Sequence, residues 1–122
     1  MSKESLATDR RNAPRQSVVY RLDVLSEDGE VGCLLDISLT GMRVRFKSEV
    51  DIGHASVLTL EFPRWLELGE GLTLTGRFAW IKPRGEDVRD LGFAFDGLGR
   101  KEAGVLAVLI QRLSEAKDED QL

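Results

Sequence analysis

The chain has 122 residues, which is enough for one domain with a modest core. Its hydrophobic fraction of 42% and charged fraction of 31% are typical of a soluble globular protein, and no apolar run is long enough to cross a bilayer. A net charge of −4 argues against general affinity for DNA or RNA. The single cysteine, Cys33, excludes an intrachain disulfide, and we expect it in the core. Because the first residues lack a signal-peptide pattern, we expect a cytoplasmic protein.

Short strands are predicted in the first half of the chain. Residues 1–9 are polar and patternless, so we expect a disordered tail. Residues 18–25 alternate apolar and polar side chains with period two, which predicts a strand. Asp28 and Gly29 supply a turn, and residues 31–35 are predicted to form the hairpin partner.

Longer alternating segments follow in the middle of the chain. Residues 42–47 alternate apolar and basic side chains, which predicts a strand with one buried and one solvated face. Residues 57–62 and 72–80 predict two more strands. In the second of these, Gly76 indicates a bulge or a sharp bend. The alternation places Trp80 on the apolar face of that strand.

The last elements are a strand at residues 91–95 and a helix whose apolar stripe runs from Val105 to Leu113. Residues 117–122 are predicted to form an acidic tail, so the domain covers residues 10–116. Six short strands followed by one helix predict a mainly-β fold, a six-stranded antiparallel β-barrel with a C-terminal α-helix.

Two motifs carry the chemical information. The first is R-x-x-x-R at residues 11–15, preceded by Arg10. Guanidinium groups bind phosphates and guanine edges bidentately. The second is D-x-S-x-x-G at residues 36–41. A carboxylate there can accept hydrogen bonds from a guanine, although Asp and Ser in such a connection also often cap the turn itself. Together the motifs suit a guanine nucleotide with phosphates.

This pair of motifs resembles the PilZ domain, the bacterial receptor module for cyclic di-GMP, over about residues 10–113. The resemblance implies a six-stranded barrel with a C-terminal helix. It assigns phosphate and guanine contacts to Arg11 and Arg15. It places Asp36 and Ser38 against a guanine, with Gly41 leaving room for it. The segment at residues 91–95 is similar to the family's L-G-x-x-F and is expected to close the barrel.

Two further residues are candidates through the same resemblance. In similar PilZ proteins an arginine before R-x-x-x-R accompanies binding of an intercalated cyclic di-GMP dimer, so Arg10 favours two ligand molecules. Trp80 has two interpretations, core packing or an aromatic platform for a guanine.

The other conspicuous residues receive structural interpretations. Arg43 and Arg45 are expected on a solvated face, with a ligand or partner surface as the alternative. Trp65 is expected in a satellite core cluster, with a contact to a partner protein as the alternative. His54, the only histidine, is expected in a loop, and without partners it predicts neither a catalytic nor a metal site. We therefore expect no enzymatic activity.

The predicted function is a cyclic di-GMP receptor and adaptor that relays the signal to an unidentified effector protein. The resemblance implies control of motility, biofilm or exopolysaccharide. The apolar pattern and the net charge of −4 predict neither membrane insertion nor binding of DNA or RNA. The leading alternative is a PilZ-like adaptor that binds protein partners without nucleotide. A third is a small barrel that binds single-stranded nucleic acid through residues 10–15, the arginine arm, with steep salt dependence.

Overall fold

A computed structural model describes residues 16–17, 21–47 and 50–121 of the chain. Antiparallel strands form most of the structure, and one long helix ends it. The elements are β1 (Gln16–Ser17), β2 (Asp23–Leu25), β3 (Val31–Ile37), β4 (Gly41–Phe46), β5 (Ala55–Glu61), a 3₁₀ helix (Arg64–Leu66), β6 (Gly71–Pro83), β7 (Arg89–Phe95) and helix α1 (Arg100–Gln121).

The strands close into a barrel. Strands β3, β2, β5, β6, β7 and β4 follow one another in the sheet, and pairing between β3 and β4 completes the ring. The short β1 pairs with β3 beyond the end of β2, so it continues the same wall of the barrel. The predicted six-stranded antiparallel barrel is confirmed. The strand predicted at residues 18–25 is observed in part as β2, and residues 18–20 lie outside the described residues.

The core lies inside the barrel and beneath α1. The predicted stripe of the helix is confirmed, because Leu106, Leu109 and Leu113 are buried while Val105 and Ile110 are partly buried. The helix contacts β1 and β6. It continues to residue 121, through acidic residues that the sequence analysis assigned to a tail. No helix among the described residues is long and apolar enough to span a membrane.

The predicted alternation of β6 is wrong at its end. Pairing with β5 stays regular through Gly76, where a side chain would collide with the Ala94 carbonyl of β7. The irregularity lies instead between Phe78 and Trp80. Because one extra residue is inserted there, Phe78 points inward and Trp80 points outward.

Two other side chains also differ from expectation. Cys33 is only half-buried, because the alternation of β3 directs the neighbouring Leu34 into the core. Trp65 is 46% exposed, and Leu66 beside it is fully buried. The 3₁₀ helix contacts the core through Leu66, while Trp65 is more exposed than a core residue.

Candidate functional site

The D-x-S-x-x-G motif forms the connection between β3 and β4. The Ser38 hydroxyl donates to the Gly41 carbonyl at 3.3 Å and accepts from the Thr40 amide at 3.2 Å. The Ser38 amide also donates to the Gly41 carbonyl at 2.9 Å. Ser38 is 1% exposed. Its hydroxyl therefore holds the turn, as the structural interpretation of this residue required.

Asp36 lies on the outer face of the barrel, where it is largely covered by neighbours. An irregularity in β3 between Leu34 and Asp36 sets its register against Arg43 of β4. Arg43 Nη2 lies 2.9 Å from Asp36 Oδ2. Arg43 Nε is buried and has no hydrogen-bond partner. Arg43 was predicted on a solvated face, and the strand alternation alone does not indicate this ion pair.

Gly41 has a structural reason to be glycine. A Cβ at this position would lie 2.6 Å from the Phe93 carbonyl oxygen of β7, closer than real Cβ atoms approach. The missing side chain therefore allows β4 and β7 to approach, independently of any space left for a ligand.

Trp80 is brought to the same outer face as Asp36. The register pairs Asp36 with Arg43, Arg43 with Gly92, and Gly92 with Trp80. These four residues form the outer row, which crosses β3, β4, β7 and β6. A Cβ on Gly92 would overlap the Trp80 indole, so the ring covers Gly92. Because the indole is 42% exposed, core packing of Trp80 is excluded.

Next to the outer row lies the buried carboxylate of Asp90, which was not predicted from the sequence. Asp90 is 1% exposed although its position in β7 faces outward. Arg45 Nε is 2.7 Å from Asp90 Oδ1 and Arg45 Nη2 is 3.3 Å from Oδ2, while Arg84 Nε is 2.7 Å from Oδ2. Burial alone would raise the pKa of Asp90, but the hydrogen bonds and charges of both arginines hold it below its usual value.

The sequence signal for this cluster was weak. The alternation of β7 places Asp90 and Gly92 on the outer face of the barrel, and the alternation of β4 places Arg45 on that face as well. Only the pairing of β4 with β7 brings them together.

The arginine arm lies outside the described residues, so the positions of Arg10, Arg11 and Arg15 stay predictions. Their attachment point is described. Strand β1 begins immediately after Arg15, with Gln16 opposite Ile37 and Ser17 opposite Asp36. The chain that leaves the arm therefore runs directly beside the second motif.

We next consider metal ligands and the single histidine among the other described residues. Within residues 16–17, 21–47 and 50–121, no group of three His, Cys, Asp or Glu side chains could hold a metal ion. His54 is an exposed loop residue, as expected, and lines a cavity of about 280 Å³ with Glu27 and Asp51. That cavity lies at the start of β3, whereas the D-x-S-x-x-G turn lies at its end.

A family model for the PilZ domain matches residues 9–112. The chain belongs to the PilZ domain family. The predicted resemblance is thereby confirmed, while the roles given to individual PilZ motif residues remain predictions.

Solved structures show the same PilZ fold. The PilZ domain with c-di-GMP of YcgR from Escherichia coli aligns with a TM-score of 0.74 at 19% identity, covering 92% of this chain and 97% of that one. YcgR in complex with c-di-GMP aligns with a TM-score of 0.70 at 19% identity, covering 92% of this chain and 50% of that one. Bacillus subtilis MotI/DgrA, an inhibitor of motility, aligns with a TM-score of 0.67 at 16% identity, covering 88% of this chain and 52% of that one. This PilZ chain thus spans about half of the two longer proteins. No curated protein sequence matches it.

Proposed function

We propose that this PilZ protein is a receptor for cyclic di-GMP that uses the arginine arm and the D-x-S-x-x-G turn as the two sides of one site. The observation that carries this proposal is the pairing of β1 with β3. Ser17 lies opposite Asp36, so the two motifs are attached to neighbouring strands at the same place. The names of two similar structures, which contain c-di-GMP, support the choice of ligand.

The chemistry of the outer face suits a guanine. The Asp36 carboxylate can accept from the guanine N1–H and exocyclic amine, and its ion pair with Arg43 holds the carboxylate in place. The exposed indole of Trp80, in the same row, offers a face on which a base can stack. Ser38 and Gly41 fix the turn that presents Asp36.

The arm would supply the phosphate contacts. Arg11 and Arg15 bind phosphates and guanine edges in this proposal, each charge-assisted hydrogen bond contributing about 1.5–3 kcal/mol. This gain offsets a backbone ordering cost of about 1–2 kcal/mol per residue. Arg10 adds the positive charge that a stacked pair of ligands, with twice as many phosphates, requires.

The output would be a protein surface. A ligand that orders the arm changes the charge and shape of this end of the barrel, and an effector protein with different affinities for the two states responds to that change. Motility, biofilm and exopolysaccharide synthesis are the processes proposed for this relay, in the cytoplasm.

Calorimetry with cyclic di-GMP tests the receptor proposal. Wild-type protein is expected to bind, and Arg11→Ala and Arg15→Ala are each expected to weaken binding at least tenfold. We propose that the two arginines contribute little to stability in the ligand-free protein, so the melting temperatures of both variants without ligand should stay within about a degree of wild type. Arg64→Ala, an exposed arginine on the 3₁₀ helix, is the matched control and should bind normally.

Absence of binding heat with wild-type protein at tens of micromolar ligand would reject the receptor proposal. The nucleotide-independent adaptor would then be favoured. A large loss of stability in the ligand-free arm variants would mean that the arm is part of the fold.

A further inference from the structure

Asp90 and its two arginines have an arrangement that fold stability alone does not explain. The side chain of Asp90 is 2% exposed, whereas those of Arg45 and Arg84 are 43% and 40% exposed. Removing a carboxylate from water costs free energy, and an apolar residue often serves equally well in such a position. What the carboxylate supplies is a fixed orientation for two guanidinium groups that remain accessible to solvent.

Both guanidinium groups keep donors for another acceptor. Arg45 uses Nε and Nη2 on Asp90, which leaves Nη1. Arg84 uses Nε, which leaves both of its terminal nitrogens. The Arg84 amide donates to the Val88 carbonyl at 2.8 Å, so the loop that carries Arg84 is closed at its base. Two guanidinium groups held in a fixed orientation by one carboxylate are suited to bind an oxyanion such as a phosphodiester.

The cluster lies beside the exposed indole. Asp90 is two residues from Gly92 on the same face of β7, and Gly92 is covered by Trp80. Two residues along a strand correspond to about 7 Å. A nucleotide whose base stacks on Trp80 can therefore direct its phosphate toward Arg45 and Arg84. Lys82, opposite Asp90 on β6, adds a further cation to this face.

We propose that Arg45 and Arg84, positioned by Asp90, form a second phosphodiester-binding position beside Trp80 and hold the second of two cyclic di-GMP molecules. This inference rests on the proposed receptor function and deepens it. The arginine arm would bind the first cyclic di-GMP molecule at Asp36, and the Arg45–Asp90–Arg84 cluster would bind the second cyclic di-GMP molecule. Asp90 is a positioning residue, since its oxygens face the arginines.

Titration calorimetry and sedimentation with cyclic di-GMP test this position. Wild-type protein is expected to bind two molecules per chain. Arg84→Gln is expected to bind the second molecule at least tenfold more weakly while binding of the first is retained. Arg64→Gln removes the same charge from the exposed 3₁₀ helix and should behave as wild type.

Asp90→Asn tests the positioning role with both arginines still present. It is expected to weaken the second molecule at least tenfold, and a purely structural role would leave the ratio of two unchanged in the folded variant. If Asp90→Asn does not fold, Arg84→Gln decides, because the Arg84 side chain is half-exposed and outside the core.

The outcomes separate the two proposals. Absence of any binding by wild-type protein rejects the receptor function and this inference together. Binding of one molecule by wild type overturns this inference and leaves the receptor function standing. Two molecules bound with unchanged affinities by Arg84→Gln also overturn it.

Discussion

Replacing Gly92 by alanine separates the binding role of Trp80 from the stability of the barrel. Gly92 lies in β7 beneath the indole, and an added Cβ would lie 2.7 Å from Trp80 Cδ1 and closer still to the ring nitrogen. The three nearest atoms that such a Cβ meets all belong to this indole. The side chain of Trp80 must therefore rotate or lift away from the sheet.

The expected change in stability is small. Displacing the indole from its preferred rotamer costs about 1 kcal/mol, and replacing glycine by alanine in a strand returns about 0.5–1 kcal/mol. The free energy of unfolding should therefore change by less than about 1 kcal/mol. Stacking of a base on an aromatic side chain contributes about 1–3 kcal/mol, so the affinity for cyclic di-GMP should fall about 5- to 150-fold.

Three measurements on Gly92→Ala check this reasoning. Urea denaturation gives the stability, calorimetry gives the affinity, and fluorescence in a Trp65→Phe background reports Trp80 alone, since the chain has two tryptophans. The emission of Trp80 should shift because its contact with the sheet is lost. Gly97→Ala is the matched control, because nothing lies within 4 Å of the added Cβ.

Two results would refute the argument. Unchanged emission and unchanged affinity would show that the indole does not rest on Gly92. A loss of more than about 2 kcal/mol in stability would show that the added methyl group strains the barrel instead of the exposed ring.

Three further predictions concern the fold. Because hydrogen bonds from Arg45 and Arg84 lower the pKa of Asp90, its contribution to stability is present above about pH 4 and is lost as the pH falls through the lowered pKa. Asp90→Asn should lower the free energy of unfolding at neutral pH by about 1–3 kcal/mol, since the two arginines that lose their charged partner remain accessible to water, and it should flatten the acid dependence measured by urea denaturation at several pH values; an unchanged acid profile would contradict this. Gly41→Ala should cost about 1–3 kcal/mol in thermal denaturation without ligand, and an unchanged melting temperature would show that β4 and β7 can relax. Leu109→Ala should cost about 2–5 kcal/mol by urea denaturation, since the residue is fully buried, and a smaller loss would mean that α1 contributes little to the core.

The sequence predicted the strands and the helix well because their signals are local. A period of two along residues 42–47 already indicates which side chains enter the core, and Val44 and Phe46 are indeed buried. The apolar stripe of α1 is equally local. The turn of the D-x-S-x-x-G motif was also recognisable from the sequence. Its hydrogen bonds show that the Ser38 hydroxyl stabilises the turn itself.

The candidate site was only partly predictable, since its geometry depends on pairing between distant strands. The alternation of β6 assigned Trp80 to the wrong face, because a one-residue bulge leaves no clear trace in the pattern of side chains. Asp90 and Arg45 are 45 positions apart, and no local rule indicates that they meet.

By itself, the sequence determined the family, the strand periods and the chemical groups, since these depend on residue types and spacing along the chain. The tertiary structure decided which groups share a surface. The β4–β7–β6 register joins Arg43, Gly92 and Trp80 in one row. The β1–β3 pairing brings the exit of the arginine arm to Asp36. Register in a closed barrel is set by all its strands together, so these neighbours follow from the whole fold.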